Sequence, residues 1–196
     1  MIRIKEIVNS VFSSKTYIIS KRGDDKAWVV DIGDIKPVEE YLNDNHLTVE
    51  GVLITHAHFD HIYGLEPLVD LFPSCKVFAT EFSKKSLESD KLNLSRYHGK
   101  RINYSGDNVV VVHDGDSCVI FNNEPPMCFF ETPGHNPGCL TMVMEDFVFT
   151  GDAYIPGIPT NTQLPHADKE LAIKSVERII EISAGKRILP GHLINN

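Results

Sequence analysis

Apolar and polar residues alternate over Met1-Ile2-Arg3-Ile4-Lys5-Glu6-Ile7-Val8, the period of a strand with one face covered. Thr16–Ser20 and Ala27–Asp31 flank Lys21-Arg22-Gly23-Asp24-Asp25, whose glycine and aspartates suit a hairpin connection. Pro37 to Leu42 reads as a short helix, with the proline near its start where a missing N–H does no harm. Gly51-Val52-Leu53-Ile54-Thr55 is continuously apolar, as expected of a strand buried on both faces. Leu65, Leu68, Val69 and Phe72 repeat at helical spacing up to Pro73. The polar stretch Ser83 to Ser105 is expected to be helix plus loop. Further strands are expected at Val109–Val112, Ser117–Phe121, Met127–Phe130, Phe147–Thr150 and Arg187–Leu189. Asp168 caps a final amphipathic helix with Ala172, Val176, Ile179 and Ile180 on one face. Strands accompanied by helices predict packed sheets with helices outside, and leave the topology open.

Composition narrows the class. With 196 residues, 42% of them hydrophobic, the expectation is one globular domain spanning 1–196. No stretch approaches the roughly 18–20 apolar residues of a membrane span. Nineteen Lys+Arg against 27 Asp+Glu give a net charge of −8, which speaks against a nucleic-acid partner. The first residues lack a signal peptide's apolar run and small-residue cleavage site. Cys75, Cys118, Cys128 and Cys139 are scattered, with no CxxC pair, so neither a disulfide framework nor a thiolate zinc site is expected. The reading is a cytoplasmic protein in which Cys75, Cys118 and Cys128 are small buried hydrophobes. Nothing in the pattern sets an oligomeric state.

Nine histidines are the unusual feature, and four apolar strands run into loops that carry them or an aspartate. Gly51–Thr55 leads to His56-Ala57-His58-Phe59-Asp60-His61, and Met127–Phe130 to Thr132-Pro133-Gly134-His135. Phe147–Thr150 leads to Gly151-Asp152, and Ile188-Leu189 to Pro190-Gly191-His192. At this composition an HxHxDH window arises by chance with a probability on the order of 10⁻³ per chain, so the first cluster is not an accident of His content. Nitrogen and oxygen donors of this kind suit zinc, manganese or iron. Rigid strands that end together can hold such donors in a preorganised site, so the four ends are expected to converge.

His56, His58, Asp60, His61, His135, Asp152 and His192, with Asp31 in Val30-Asp31-Ile32-Gly33 ahead of them, resemble the ordered motifs of the metallo-β-lactamase superfamily over nearly the whole chain. The resemblance implies an α/β fold, a four-layer αβ/βα sandwich with its metal site at one edge between two sheets. It implies one divalent metal on His56, His58 and His135 and a second on Asp60, His61 and His192. Asp152 would bridge them, and Asp31 would support the site. Two Zn2+ ions are the first expectation, with Fe or Mn also suited. A metal-bridged hydroxide, oriented by Asp60, would then attack the carbonyl of a small-molecule thioester or ester.

An aspartate at 152, Asn93-Leu94-Ser95 and Thr132–Cys139 further resemble glyoxalase II, a hydroxyacylglutathione hydrolase. The last stretch equally resembles persulfide dioxygenases, in which His56, His135 and Asp152 would form a mononuclear iron triad. A non-catalytic metal-binding module is a third reading, against which Asp60 argues; a nuclease of this fold fits the charge poorly. Two departures bear on substrate. Ala153-Tyr154-Ile155-Pro156-Gly157-Ile158-Pro159 stands where glyoxalase II carries Gly-Cys-Gly-Arg, and the chain ends just past His192, short of a glutathione-gripping helical domain. The expectation is therefore a short glyoxalase II-like thioesterase whose thiol is not fixed as glutathione. Tyr154 and Asn161 are candidate substrate contacts. His98, His113 and His166 are expected to be structural or surface groups, and Cys139 a buried structural thiol.

Overall fold

A computed structural model describes residues 1–193. Strands β1 (Ile2–Val8), β2 (Lys15–Lys21), β3 (Lys26–Val30), β4 (Thr48–Leu53), β5 (Lys76–Ala79) and β6 (Val109–Val111) form one sheet in that order. Its first three strands are antiparallel, and β3 to β6 run parallel. The second sheet has the order β11-β10-β9-β8-β7, from β7 (Ser117–Cys118), β8 (Met127–Glu131), β9 (Leu140–Met144), β10 (Phe147–Gly151) and β11 (Arg187–Pro190). Only β10 and β11 pair parallel there.

Alternation along the strands explains the layers. Tyr17, Ile19, Trp28, Val30, Leu53 and Phe78 meet residues of the second sheet such as Phe129, Met142 and Phe149 in one buried cluster. Their neighbours Ile18, Val29, Val52 and Val77 point the other way. There they bury the apolar faces of α1 (Ile35–Asp44), α2 (Phe59–Ile62), α3 (Leu65–Leu71) and α4 (Glu81–Leu87). On the second sheet, α5 (Lys169–Ile182) packs Ile179 against Cys139 and Ala153. The expected metallo-β-lactamase sandwich is observed. Among the described residues no helix is long and apolar enough to cross a membrane.

Several local expectations change. Strands β5 and β9 have no counterpart in the periodicity reading: both are short, and pairing with neighbours defines them. The strand expected over Ser117–Phe121 stops at Cys118. Cys118 pairs with Met127, so the ladder's next partner is Pro126, which has no N–H to donate. At this edge Cys118 and Cys128 are only half-buried, not core residues, whereas Cys75 is buried. On α5 the buried face is Ala172, Ser175 and Ile179, while Ile180 is exposed. Ser175 takes the inward place because its Oγ donates to Pro133 O at 2.6 Å.

Candidate metal centre

The C-terminal ends of β4, β8, β10 and β11 bring His56, His58, Asp60, His61, His135, Asp152 and His192 together at one edge of the sandwich. Bonds across the two sheets, and one between loops of the first sheet, fix the approach. Tyr17 OH donates to Pro190 O at 2.7 Å, Lys15 N to Gly191 O at 2.7 Å, and Ser14 Oγ to Asp60 O at 2.7 Å. Gly134, at φ +142°, lies so close to Ala172 of α5 that any Cβ would strike its backbone, and this seats His135 against the helix.

Hydrogen bonds on the outer ring nitrogens decide where the inner ones point. His61 Nδ1 donates to Asp31 Oδ2 at 2.9 Å, His135 Nδ1 to Asn161 O at 3.0 Å and His192 Nδ1 to Phe12 O at 2.9 Å. Asp31 also accepts from Thr55 N at 2.8 Å and Thr55 Oγ1 at 2.6 Å. With its proton on Asp31, Thr55 Oγ1 accepts from His56 Nδ1 at 3.2 Å. Four imidazoles are thereby held with Nε2 turned inward, the arrangement that outer partners impose on metal-binding histidines. His58 is reversed: Nδ1 faces in and Nε2 lies 3.1 Å from the Asn136 side-chain amide. Coordination through that Nδ1 requires an Nε2–H, which faces the Asn136 NH2 because Asn136 Oδ1 already accepts from Gly138 N at 2.8 Å.

His58 Nδ1 is 3.1 Å from His56 Nε2 and 3.0 Å from His135 Nε2, and His61 Nε2 is 3.2 Å from His192 Nε2. Two nitrogens on one tetrahedral zinc stand roughly 3.3 Å apart, so these spacings suit a shared ion. Three groups could hold one: His56–His58–His135, Asp60–His61–His192, and His56–His61–Asp152. Asp152 Oδ2 lies 3.2 Å from His192 Nε2 and 3.6 Å from His135 Nε2, between the first two groups. Its Oδ1 is the buried side-chain polar atom left without a hydrogen-bond partner among the described residues, which fits an electropositive ligand there.

Electrostatically the cluster has two halves. Burial and the neighbouring imidazoles push His56 and His58 down, His58 to about 3, and burial also lowers His135. Burial opposes charge on His61 and His192 too, but Asp60 and Asp152 outweigh it, raising His192 to about 10. Those imidazoles in turn hold Asp60 and Asp152 below the usual carboxylate range despite burial. One half is neutral and the other is a knot of ion pairs that a metal must displace.

A cavity of about 240 Å³ opens over the cluster. His58, Asp60, His135, Asp152 and His192 form its floor; Phe12, Phe59, Leu94, His98, Asn161 and Leu164 form its walls. Tyr154, expected as a substrate contact, is not in the wall: it packs with Cys139, Ala153 and Ile179, where Thr150 Oγ1 holds its carbonyl at 2.6 Å. Asn161 does line the cavity and carries His135 through its carbonyl. His98 is at the surface as expected, yet it also lines the cavity. The Cys139 thiol is buried and its pKa is pushed up by that burial, so it stays protonated. A larger groove of about 420 Å³ beside α5, around Thr160, Ile173 and Glu177, contains none of the clustered residues. Phe12, Thr55 and Asn136 are site residues that sequence reasoning missed; only the adjacency of Thr55 and Asn136 to ligand histidines marked them.

A sequence profile of the metallo-beta-lactamase superfamily matches residues 11–192. The chain is 30% identical over 158 residues to a hydroxyacylglutathione hydrolase of Pseudoalteromonas translucida, covering 80% of this chain and 52% of that protein. It is 40% identical over 100 residues to one of Vibrio campbellii, covering 48% and 39%. The chain thus spans about half the length of the relatives it matches, or less. The BLEG-1 B3 metallo-beta-lactamase superposes with a TM-score of 0.86 at 27% identity, over 98% of this chain and 92% of that one. The di-iron-bound form of TTHA1623 shares the fold, with a TM-score of 0.83 at 23% identity over 98% and 93%.

Proposed function

The chain belongs to the metallo-beta-lactamase superfamily, and from that premise we propose that it is a binuclear metal-dependent hydrolase of small thioesters or esters. The observation that carries this reading is the second donor group, Asp60–His61–His192, set beside His56–His58–His135 with Asp152 between them. A mononuclear iron dioxygenase would need only His56, His135 and Asp152, and leaves that second group without a task. The hydroxyacylglutathione hydrolases among the relatives support a thioester.

In this reading the two groups hold two divalent ions, zinc first among them, with Asp152 shared. Bound there, such a pair lowers the pKa of water toward neutrality and polarises a carbonyl. The chain's own residues do the rest. Asp60, with Oδ2 3.3 Å from His192 Nε2, sits in the cavity floor where a carboxylate can accept a proton from the nucleophile and aim it. Asp31 keeps His61 and, through Thr55, His56 in the tautomers that present Nε2. The cavity admits a small molecule, and four free thiols are in keeping with a reducing cytoplasm.

The test is metal content per chain by elemental analysis, followed by turnover of thioesters, esters and lactones by the loaded protein. Two metals and thioester hydrolysis are expected. A single iron, with oxygen uptake on a persulfide and no acyl hydrolysis, overturns the proposal in favour of the dioxygenase; full loading with no turnover of any substrate leaves a binding module.

A further inference from the structure

The cavity's outer wall is built from a strained residue. Phe12 and Ser13, in the turn between β1 and β2, have φ of +53° and +56°, a region bulky side chains avoid. The turn is held there by Asn9 N donating to Ser14 O at 2.8 Å, Leu193 N to Ser13 O at 3.0 Å and His192 Nδ1 to Phe12 O. One backbone distortion therefore does two things: it aims a carbonyl at His192 and leaves the Phe12 ring 61% exposed over the cavity.

That ring is not alone. It stands edge-on to Phe59 at 5.6 Å and to His98 at 5.5 Å, while Phe59 and His98 stack at 3.9 Å and 11°. Phe59 lies between the ligand residues His58 and Asp60, so the aromatic set starts at the donor cluster and ends at the surface. Leu94, itself at φ +67°, and Leu164 continue the wall, and no Lys or Arg is among the lining residues. The cavity of about 240 Å³ leaves room for an acyl group beside the donor cluster.

We propose that Phe12, Phe59 and His98 form a subsite for an uncharged aryl or branched-alkyl group next to the scissile carbonyl. The proposal rests on the hydrolase reading and names its substrate class. His98 serves as an aromatic plate, as a specificity-determining residue rather than a base.

The test holds the thiol constant and varies the acyl group, using acetyl, phenylacetyl and succinyl thioesters of N-acetylcysteamine. The expected order of kcat/KM is phenylacetyl above acetyl by about tenfold, with succinyl lowest. F12A and H98A lower the phenylacetyl-to-acetyl ratio by about three- to tenfold, whereas H98F preserves it. Calorimetry with the matching ketones, which carry CH2 in place of sulfur and are not hydrolysed, reads the same preference as affinity. Preferential ketone binding without turnover overturns the hydrolase and keeps the subsite. Turnover with a ratio near one, or variants that leave the ratio unchanged, overturns the subsite and keeps the hydrolase. Equal ketone affinities with no turnover overturn both.

Discussion

Asp31→Asn isolates what a single buried carboxylate does for the metal centre. Asp31 is 2% exposed and accepts three hydrogen bonds, two of them at Oδ2, from Thr55 Oγ1 and His61 Nδ1. An asparagine keeps one acceptor and replaces the other by an NH2, so at least one buried donor then faces a donor. Leaving such a group unsatisfied costs about 1–3 kcal/mol. Loss of an outer partner on a ligand histidine lowers metal affinity about 10–100-fold, which is about 1.4–2.7 kcal/mol. The two estimates agree. The loss is expected to be unequal, because Asp31 touches His61 directly but reaches His56 only through the Thr55 hydroxyl. Asparagine tolerates the left-handed φ of +52° at this position, so the fold should survive, as a urea titration would verify. The assay is competition against a chromophoric zinc chelator, resolved into two binding steps. The step assigned to Asp60–His61–His192 should weaken by the full factor and the other by less. Unchanged affinity, or the same loss in both steps, would refute the reasoning.

Gly191→Ala should lower metal content, because the added Cβ would overlap Asp152 Oδ1 and crowd the Gly151 backbone; full metal content in the variant would contradict this. Gly134→Ala places a methyl against the Ala172 backbone at a φ that side chains avoid, and should cost about 1–3 kcal/mol or more in urea unfolding. Asn136→Asp lets one oxygen keep the Gly138 N–H and the other take His58 Nε2–H. Metal affinity at His56–His58–His135 should rise by up to about tenfold while the stripped protein loses stability, and chelator competition with urea titration reads both. In stripped protein, His192, raised from 6.5 to about 10, contributes stability that is complete below 6.5 and is lost as pH climbs toward 10. His58, lowered to about 3, contributes stability present above 6.5 and lost as pH falls toward 3. Urea midpoints should therefore decline on both sides of neutrality. Metal loading at pH 7.5 should release protons, so calorimetric heats that do not change with buffer would count against the ion-paired half.

The donor set was legible in the sequence because its first four members fall within six residues and the rest follow apolar runs. A strand end delivers its next residues to the sheet edge, so local pattern is enough to place His56, His58, His135, Asp152 and His192 there, with Asp60 and His61 on the short helix α2 that follows. The fold class came with them. Pairing was less legible: β5 and β9 are defined by their partner strands, β7 is cut off by Pro126 on its partner strand, and on α5 Ser175, bonded to Pro133, faces inward while Ile180 is exposed.

By itself the sequence determined the residue types of the site, their order, and the alternation that sorts Tyr17 and Ile19 from Ile18. Those are properties of neighbours along one backbone, where period and solvent side suffice. Only the tertiary structure decided which ring nitrogen faces in, that Tyr154 packs away from the cavity, and that Phe12, Phe59 and His98 make one wall. His192 and the Phe12 carbonyl that orients it are 180 positions apart, joined by a single hydrogen bond. That contact exists because two sheets packed face to face bring their ends together. No spacing along the chain encodes it.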